Sequence, residues 1–365
     1  MFPACLALRA ATAVRLSVWI AVLTLMMVYA PNAVKLAYPE EAQRLARVNL
    51  LKTPAGMILG GPMFGGNETD LGAMMANELM LTLIVAASIL AISTVIRHRR
   101  AEEENGIAEL VLSSVVGRYA RTYAALILVG GVNAVLAVTM TLAMASTGFR
   151  VVDTAAMCLG ITGAAMVFGA VAAVTAQLWR QARTATGAAM AALAVAVLVR
   201  GIGDVINNSG SALSWFSPIA WAQQMRPFVD LRWWPFALLV ALAIGLMALA
   251  AWLESRRQYD DGNIPSTGEQ PNARPITTAF GLHLTLQRGQ TIGWTVGLFL
   301  AGLAFGSMTK SLLDAAKDNE LLARVLATQG NDGVYTTLTQ FLAAAATAYV
   351  VSAVLRCVQR RGSQA

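Results

Sequence analysis

The sequence predicts an all-α polytopic membrane protein with about eight transmembrane helices. Hydrophobic residues make up 57% of the chain and charged residues 13%, against about 25% charged residues in a soluble domain. Eight charge-free runs are long enough, at about 20 residues, to cross a bilayer core of about 30 Å. Backbone polar groups in lipid must pair within the protein, and the alternation expected of a barrel is absent, so helices are predicted.

The predicted spans follow one another along the whole chain. The fifth has to continue through Arg200 to reach full length. The runs are Leu16–Val34, Leu79–Ile96, Thr122–Phe149, Thr154–Trp179, Thr184–Val199, Trp233–Leu253, Gly289–Thr309 and Gly333–Leu355.

An internal repeat gives the domain organisation. Residues 1–100 recur loosely at about 280–361, where ILAISTVIRHRR is matched by YVVSAVLRCVQRR. Repeated halves of this kind are common in transporters, although chance similarity between apolar segments is the alternative. The repeat also disfavours a cleaved signal peptide at the N-terminus, which is the competing interpretation of the first span.

Four regions are predicted from this repeat and from the polar stretches. Residues 1–15 form an N-terminal interfacial helix, and 16–254 form a six-span membrane unit with a cytoplasmic helix at 97–121. Residues 255–288 form a cytoplasmic linker with turn composition. Residues 289–365 form the first two spans of a second, incomplete unit.

The distribution of basic residues predicts the orientation. With the N-terminus inside, more than half of the 27 lysines and arginines fall in cytoplasmic segments, as the positive-inside rule requires. Both termini are therefore predicted to be cytoplasmic. The net charge of +7 is explained by the membrane surface, so no nucleic-acid partner is expected. Arginine far outnumbers lysine, which indicates a bacterial plasma membrane.

Residues that could carry enzyme chemistry are missing. His98 and His283 have no metal partner at ligand spacing, and the three cysteines lie far apart. Neither a nucleophile motif nor a nucleotide-binding motif is present. The sequence therefore predicts no catalytic residue, no metal and no directly bound cofactor.

The densest charge cluster lies between the second and third spans, at Arg97–Arg121. Within it Ile107, Leu110, Val111 and Val115 fall at helical spacing on one face. A short amphipathic helix held at the cytoplasmic surface by basic residues is one interpretation, and an ordinary charged loop is the other.

Two further groups are candidate sites near the outer surface. Arg200 and Asp204 lie four residues apart at the end of the fifth span. They form either a functional intramembrane pair or a pair that snorkels to the interface, which is the favoured interpretation. The stretch after them predicts short helices at the outer interface, serving as a gate or as simple aromatic anchoring. Its candidate residues are Trp215, Pro218, Trp221, Arg226 and Pro227.

The stretch EEENGIAELVLSSVVGR at Glu102–Arg118 resembles the cytoplasmic segment of type-2 ATP-binding-cassette permeases. Together with SPIAWAQQMRPF and the later Trp-Trp pair, it is similar to actinobacterial exporters of polyketide antibiotics of the tetronasin type. The resemblance implies a permease subunit whose coupling helix docks on a separate ATP-binding subunit, present in two copies, which uses ATP and Mg²⁺. The docking residues it implies are Arg100, Glu103, Glu104, Gly106, Glu109, Leu110 and Arg118.

The chain is short for that family, which usually has two six-span halves. It is expected to be a truncated or split product that works with a second permease fragment, or a homodimer of its first half. The leading hypothesis is ATP-driven export of hydrophobic or amphipathic compounds. The alternatives are a non-transporting fragment or membrane anchor, and an ion-coupled carrier.

Overall fold

The computed structural model describes residues 2–52, 54–62, 64, 70–101, 120–179, 181–207, 210–256, 291–295, 297–299, 302, 340, 343, 347 and 350. The described residues up to 256 form nine α-helices, and no described residue lies in a β-strand. The helices are α1 (Phe2–Ala37), α2 (Glu41–Leu51), α3 (Pro54–Leu59), α4 (Leu71–Ile96), α5 (Ala120–Ala145), α6 (Val151–Leu178), α7 (Ala182–Ile206), α8 (Pro218–Gln223) and α9 (Trp234–Arg256). One π-helical turn (Arg97–Ala101) continues α4, and a 3₁₀ turn (Ser214–Phe216) precedes α8.

Six of these helices are long and apolar enough to cross a membrane: α1, α4, α5, α6, α7 and α9. They correspond to the first six predicted spans, and the predicted all-α polytopic class is confirmed. The fifth span does continue through Arg200. The seventh and eighth predicted spans lie mostly outside the described residues and stay predictions.

The chain divides into two compact units. The first comprises residues 1–52 and 57–267, and the second comprises 53–56 and 268–365. In the second unit, residues 291–295 and 297–299 are helical. The predicted cytoplasmic linker at 255–288 is almost entirely outside the described residues, so it too stays a prediction.

Helix α6 lies at the centre of the first unit and packs against α4, α5, α7, α8 and α9. Its sequence is rich in alanine and glycine, which lets neighbouring helices approach closely without large side chains between them. Gly169, for example, lies against Ala91 of α4 and Val129 of α5. Helices α1 and α9 are peripheral, and most of their apolar surface is exposed.

Two predicted boundaries differ from the structure by eight residues or more. The second span begins at Leu71, eight residues before the predicted Leu79. The predicted start is late because Glu78 interrupts the charge-free run. In the structure Glu78 accepts a hydrogen bond from Arg47 of α2 at 2.8 Å, so its charge is paired where the helix enters the bundle. Residues 2–15 are not a separate helix but the beginning of α1. An interfacial position for them stays a prediction.

Candidate functional site

The buried charges predicted at the end of the fifth span lie at one end of the bundle, under α3 and α8. Arg200 and Asp204 are 0% and 1% exposed, and the Nη1 atom of Arg200 lies 3.5 Å from the Oδ2 atom of Asp204. Because both side chains are buried, the snorkelling interpretation is wrong. The pair is instead part of a larger group of contacts.

Arg200 holds three separate elements together. Its Nη1 donates to the Oε1 atom of Gln223 at 3.1 Å, and its Nη2 donates to the carbonyl oxygen of Ile58. Gln223 in turn donates from Nε2 to the Gly60 carbonyl at 2.7 Å. The ends of α3, α7 and α8 are therefore joined through one guanidinium group. We call Arg200, Asp204, Gln223 and Ser214 the Arg200 cluster, and this end of the bundle the capped end.

Asp204 connects the cluster to the 3₁₀ turn. The hydroxyl group of Ser214 donates to its Oδ1 atom at 2.7 Å, and Ser214 is itself fully buried. The turn lies so close to α7 that a side chain at Gly203 has no room. A β-carbon there would fall 2.5 Å from both the backbone nitrogen and the Oγ atom of Ser214. The absence of a side chain at Gly203 is what brings Ser214 to Asp204.

Gly61 is needed next to the same cluster for two reasons. Its φ angle of +120° is one that residues with a side chain rarely adopt. A β-carbon would also overlap the Nε2 atom of Gln223 and lie 3.0 Å from the Nη1 atom of Arg200. Gly61 thus lets the chain pass directly over the cluster.

Gly203→Ala is expected to lower the free energy of unfolding by about 1–3 kcal/mol, the usual cost of overpacking a close contact. Gly187→Ala is the matched control, because Gly187 lies in the same helix with open space around it. Alanine at that position is expected to leave stability unchanged or raise it by up to about 1 kcal/mol. Thermal unfolding of both variants in detergent checks the difference, and equal melting temperatures would contradict the close-approach argument.

The tryptophan-rich stretch does form short helices. Pro218 occupies the first turn of α8, and the hydroxyl of Ser217 accepts from the Ile219 amide as a cap. The indole nitrogen of Trp221 donates to the Trp215 carbonyl at 2.7 Å. The Trp215 ring stacks on Trp234 with 5.1 Å between ring centroids. Trp215 is therefore tied to α8 through its carbonyl and to α9 through its ring.

A small cleft lies beside α8, and two of the predicted gate residues line it, namely Arg226 and Pro227. The Arg226 guanidinium lies 4.4 Å from the centroid of the Phe64 ring, within the range of a cation–π contact. Burial lowers the pKa of Arg226, and nearby Arg232 lowers it further while Asp230 raises it. An arginine in a protein nevertheless keeps its charge, so the cleft has a permanent cation at its edge.

The loop after α8 is held in an unusual backbone conformation. Arg226 and Phe228 have φ angles of 51° and 69°, a region that costs free energy for residues with side chains. Asp153 of α6, which is 2% exposed, accepts the Phe228 amide hydrogen bond at 3.0 Å. The Phe228 ring also packs edge-on against Phe149, with 5.8 Å between centroids. Contacts from Asp153 of α6 and from Phe149, just before that helix, therefore fix this loop over the capped end.

The opposite end of the bundle contains a second buried ion pair. Arg99, in the π-helical turn, donates from Nη1 to the Oε1 atom of Glu254 at 2.8 Å. The hydroxyl of Thr122 donates to the Oε2 atom of the same carboxylate. Residue spacing does not predict this site, because Glu254 follows Arg99 by 155 residues. The one available indication was an acidic residue at the end of an apolar run.

The predicted coupling helix lies outside the described residues from Glu102 to Arg118. This applies to Glu103, Glu104, Gly106, Glu109, Leu110 and Arg118, and Arg100 is described only in its backbone. Their docking role stays a prediction. Among the described residues, no group of three histidine, cysteine or acidic side chains is placed to hold a metal ion.

Six membrane-length helices in one chain define a polytopic membrane protein. Residues 62–253 and 276–361 match the family described as "Multidrug efflux system permease Rv1217c, C-terminal domain", and the chain belongs to this family. It is 37% identical over 357 residues to "Multidrug efflux system permease protein Rv1217c" of Mycobacterium tuberculosis (strain ATCC 25618 / H37Rv). That alignment covers 95% of this chain and 63% of the relative, so the chain spans less than two thirds of its length.

The efflux-permease part of the resemblance is confirmed by this family match. Assignment to the ATP-binding-cassette class, and to exporters of polyketide antibiotics within it, stays a prediction.

Proposed function

We propose that this chain is the membrane-spanning permease subunit of an ATP-driven exporter of hydrophobic or amphipathic compounds, such as polyketide antibiotics. The observation that carries the proposal is its family: most of the chain matches a family of multidrug efflux permeases. The relative from Mycobacterium tuberculosis carries the same description in its name. A unit of six apolar helices with buried charges at both ends is consistent with a protein that moves cargo across a bilayer.

The energy source in this proposal is a separate ATP-binding subunit, in two copies. The permease itself binds no cofactor, and ATP and Mg²⁺ are used by that partner. Residues 102–119, between the π-helical turn and α5, provide the docking helix. Its acidic start, Gly106 and the Glu109-Leu110 pair support this role through their resemblance to type-2 permeases. A second copy of this chain, or a second permease fragment, completes the pore.

The proposed location is a bacterial plasma membrane, with both termini in the cytoplasm. In that orientation the capped end faces outward, and the Arg200 cluster closes the exit from the bundle. Arg226, Pro227 and the tryptophans of the α8 region then form the outer gate. The fixed conformation of this loop supports a closed gate, because several contacts would have to break together before it opened.

Charge reversal in the proposed docking helix is expected to abolish ATP-dependent efflux. Glu104→Arg combined with Glu109→Arg should reduce co-purification with the cognate ATPase at least tenfold, since both positions lie on the proposed docking segment. Drug accumulation in cells that express the permease, with and without the ATPase, measures transport, and ATP hydrolysis in membranes measures stimulation. Glu40→Gln is the control, because Glu40 is exposed beside α2, at the capped end.

Efflux and complex formation that both survive the double charge reversal would contradict the docking role. Efflux that requires no ATPase but stops when the proton gradient is collapsed would instead favour the ion-coupled carrier, in which Arg200 and Asp204 would be essential. A non-transporting fragment would show no accumulation difference under any condition.

A further inference from the structure

The Arg99–Glu254 ion pair joins three helix ends at the side of the bundle opposite the capped end. One carboxylate accepts from Arg99 through Oε1 and from Thr122 through Oε2. The side chains of Arg99 and Glu254 are 2% and 8% exposed, and Thr122 is 2% exposed. Water therefore has little access to the group, and each oxygen atom of the carboxylate contacts a different helix.

The positions of these residues along the chain are informative. Arg99 lies in the last described turn before the proposed docking helix, and Thr122 lies in the first turn of α5, just after it. Glu254 thus contacts both flanks of the segment 102–119. Its own helix, α9, is the one that leads toward residues 255–288.

Helix α9 packs mainly against α6 and α8 rather than against α4 or α5. The long side chain of Glu254 therefore provides its polar connection to the two flanks of the segment. A shift of Arg99 or Thr122 therefore acts directly on the Glu254 carboxylate and, through it, on the end of α9. Movements travel through contiguous contacts of this kind when an element has alternative positions.

Stability alone does not explain a buried ion pair, because replacing both partners by apolar residues is often neutral or stabilising. The π-helical turn that presents Arg99 is also a rare form that is frequent at functional sites. A buried ion pair and a rare helical turn at one place indicate a role beyond packing.

We infer that Glu254 is a positioning residue that transmits displacement of segment 102–119 to α9. The inference rests on the proposed function, since it assigns to that segment the docking role described above. The Arg99–Glu254–Thr122 group is then the route by which docking or closure of the ATP-binding subunits moves the sixth helix of the bundle. Without this group, the ATP-binding subunits still bind and hydrolyse ATP, but hydrolysis no longer drives transport.

The test compares two double variants, each of which removes an ion pair that has one partner at an end of α4. Arg99→Met with Glu254→Leu removes the buried pair without leaving an unpaired charge. Arg47→Met with Glu78→Leu does the same for the half-buried pair at the other end of α4. The first variant is expected to keep ATPase co-purification and hydrolysis but to lower efflux per ATP hydrolysed at least tenfold. The second is expected to leave that ratio within twofold of the wild-type value.

Thr122→Val provides a second variant that keeps the ion pair and the side-chain volume. It is expected to lower efflux per ATP severalfold. This variant therefore tests the role of Glu254 even if Arg99→Met/Glu254→Leu does not fold. Amide hydrogen exchange in detergent gives a readout independent of transport. Exchange in the last turn of α9 is expected to become at least tenfold faster in Arg99→Met/Glu254→Leu and to stay unchanged in Arg47→Met/Glu78→Leu.

The outcomes separate the two proposals. A wild-type protein without ATP-dependent efflux overturns the proposed function. The role of Glu254 is overturned if amide exchange in α9 is unchanged in Arg99→Met/Glu254→Leu. It is also overturned if Thr122→Val and a folded Arg99→Met/Glu254→Leu both keep the wild-type efflux per ATP hydrolysed. Equal losses in the two double variants overturn it as well.

Discussion

Replacement of Arg200 by methionine is expected to lower the free energy of unfolding by about 3–5 kcal/mol, the cost of removing one partner from a buried ion pair. The carboxylate of Asp204 would then remain in the interior with Ser214 as its hydrogen-bond donor. The Ile58 carbonyl and Gln223 would lose their donor at the same time. Thermal and denaturant unfolding of the purified protein in detergent measures the effect.

The double variant Arg200→Met/Asp204→Asn separates charge from geometry. Asparagine can still accept the Ser214 hydroxyl but carries no charge, so the double variant should recover much of the lost stability. If the single and double variants unfold at the same temperature, an unpaired carboxylate is not the cause. The loss would then come from the guanidinium contacts to Ile58 and Gln223.

Replacement of Asp153 by alanine is expected to destabilise the protein by about 2–4 kcal/mol, because a buried charged acceptor is lost together with a favourable charge at a helix N-terminus. The Phe228 amide loses its acceptor while its backbone remains in the left-handed region. The loop over the capped end should therefore open. Limited proteolysis between α8 and α9 and thermal unfolding both report this change.

Asp230→Ala is the matched control for that experiment. Asp230 pairs with Arg232, as Asp153 pairs with Arg150, but the side chains of Asp230 and Arg232 are 59% and 39% exposed. Exposed ion pairs contribute little, so this variant should unfold and be cleaved like the wild type. Equal cleavage of the Asp153 and Asp230 variants would contradict the special role assigned to the buried carboxylate.

The bundle was predictable from the sequence because lipid imposes a simple rule on apolar runs. The first six spans follow from length and charge alone, yet the predicted start of α4 lies eight residues after the observed one. The reason is that Glu78 looks like an end of a span when its partner Arg47 is unknown. A charge inside a helix becomes acceptable through a contact with another helix, and such contacts are not visible in a hydropathy pattern.

The site was predictable only where its residues are close in sequence. Arg200 and Asp204 lie one helical turn apart, so their pairing could be proposed from spacing. Gln223 and the Ile58 carbonyl come from separate short helices, and nothing in the spacing predicts that they meet Arg200. The sequence also does not predict that the pair is buried. Snorkelling and burial differ only in whether other elements cover the helix end, and here α3 and α8 cover it.

The Arg99–Glu254 pair also bears on the order in which the protein is made. At elongation rates of roughly 5–20 residues per second, the 155 residues that separate the two partners require about 8 to 30 s of synthesis. By the end of that interval the second to fifth membrane helices (α4, α5, α6 and α7) have been synthesised. Until then the carboxylate that pairs with Arg99 does not exist. The six-helix unit therefore reaches its internal charge balance only when its last helix has been synthesised. Any nascent chain that stops before Glu254 lacks the carboxylate that pairs with Arg99 at that end of the bundle.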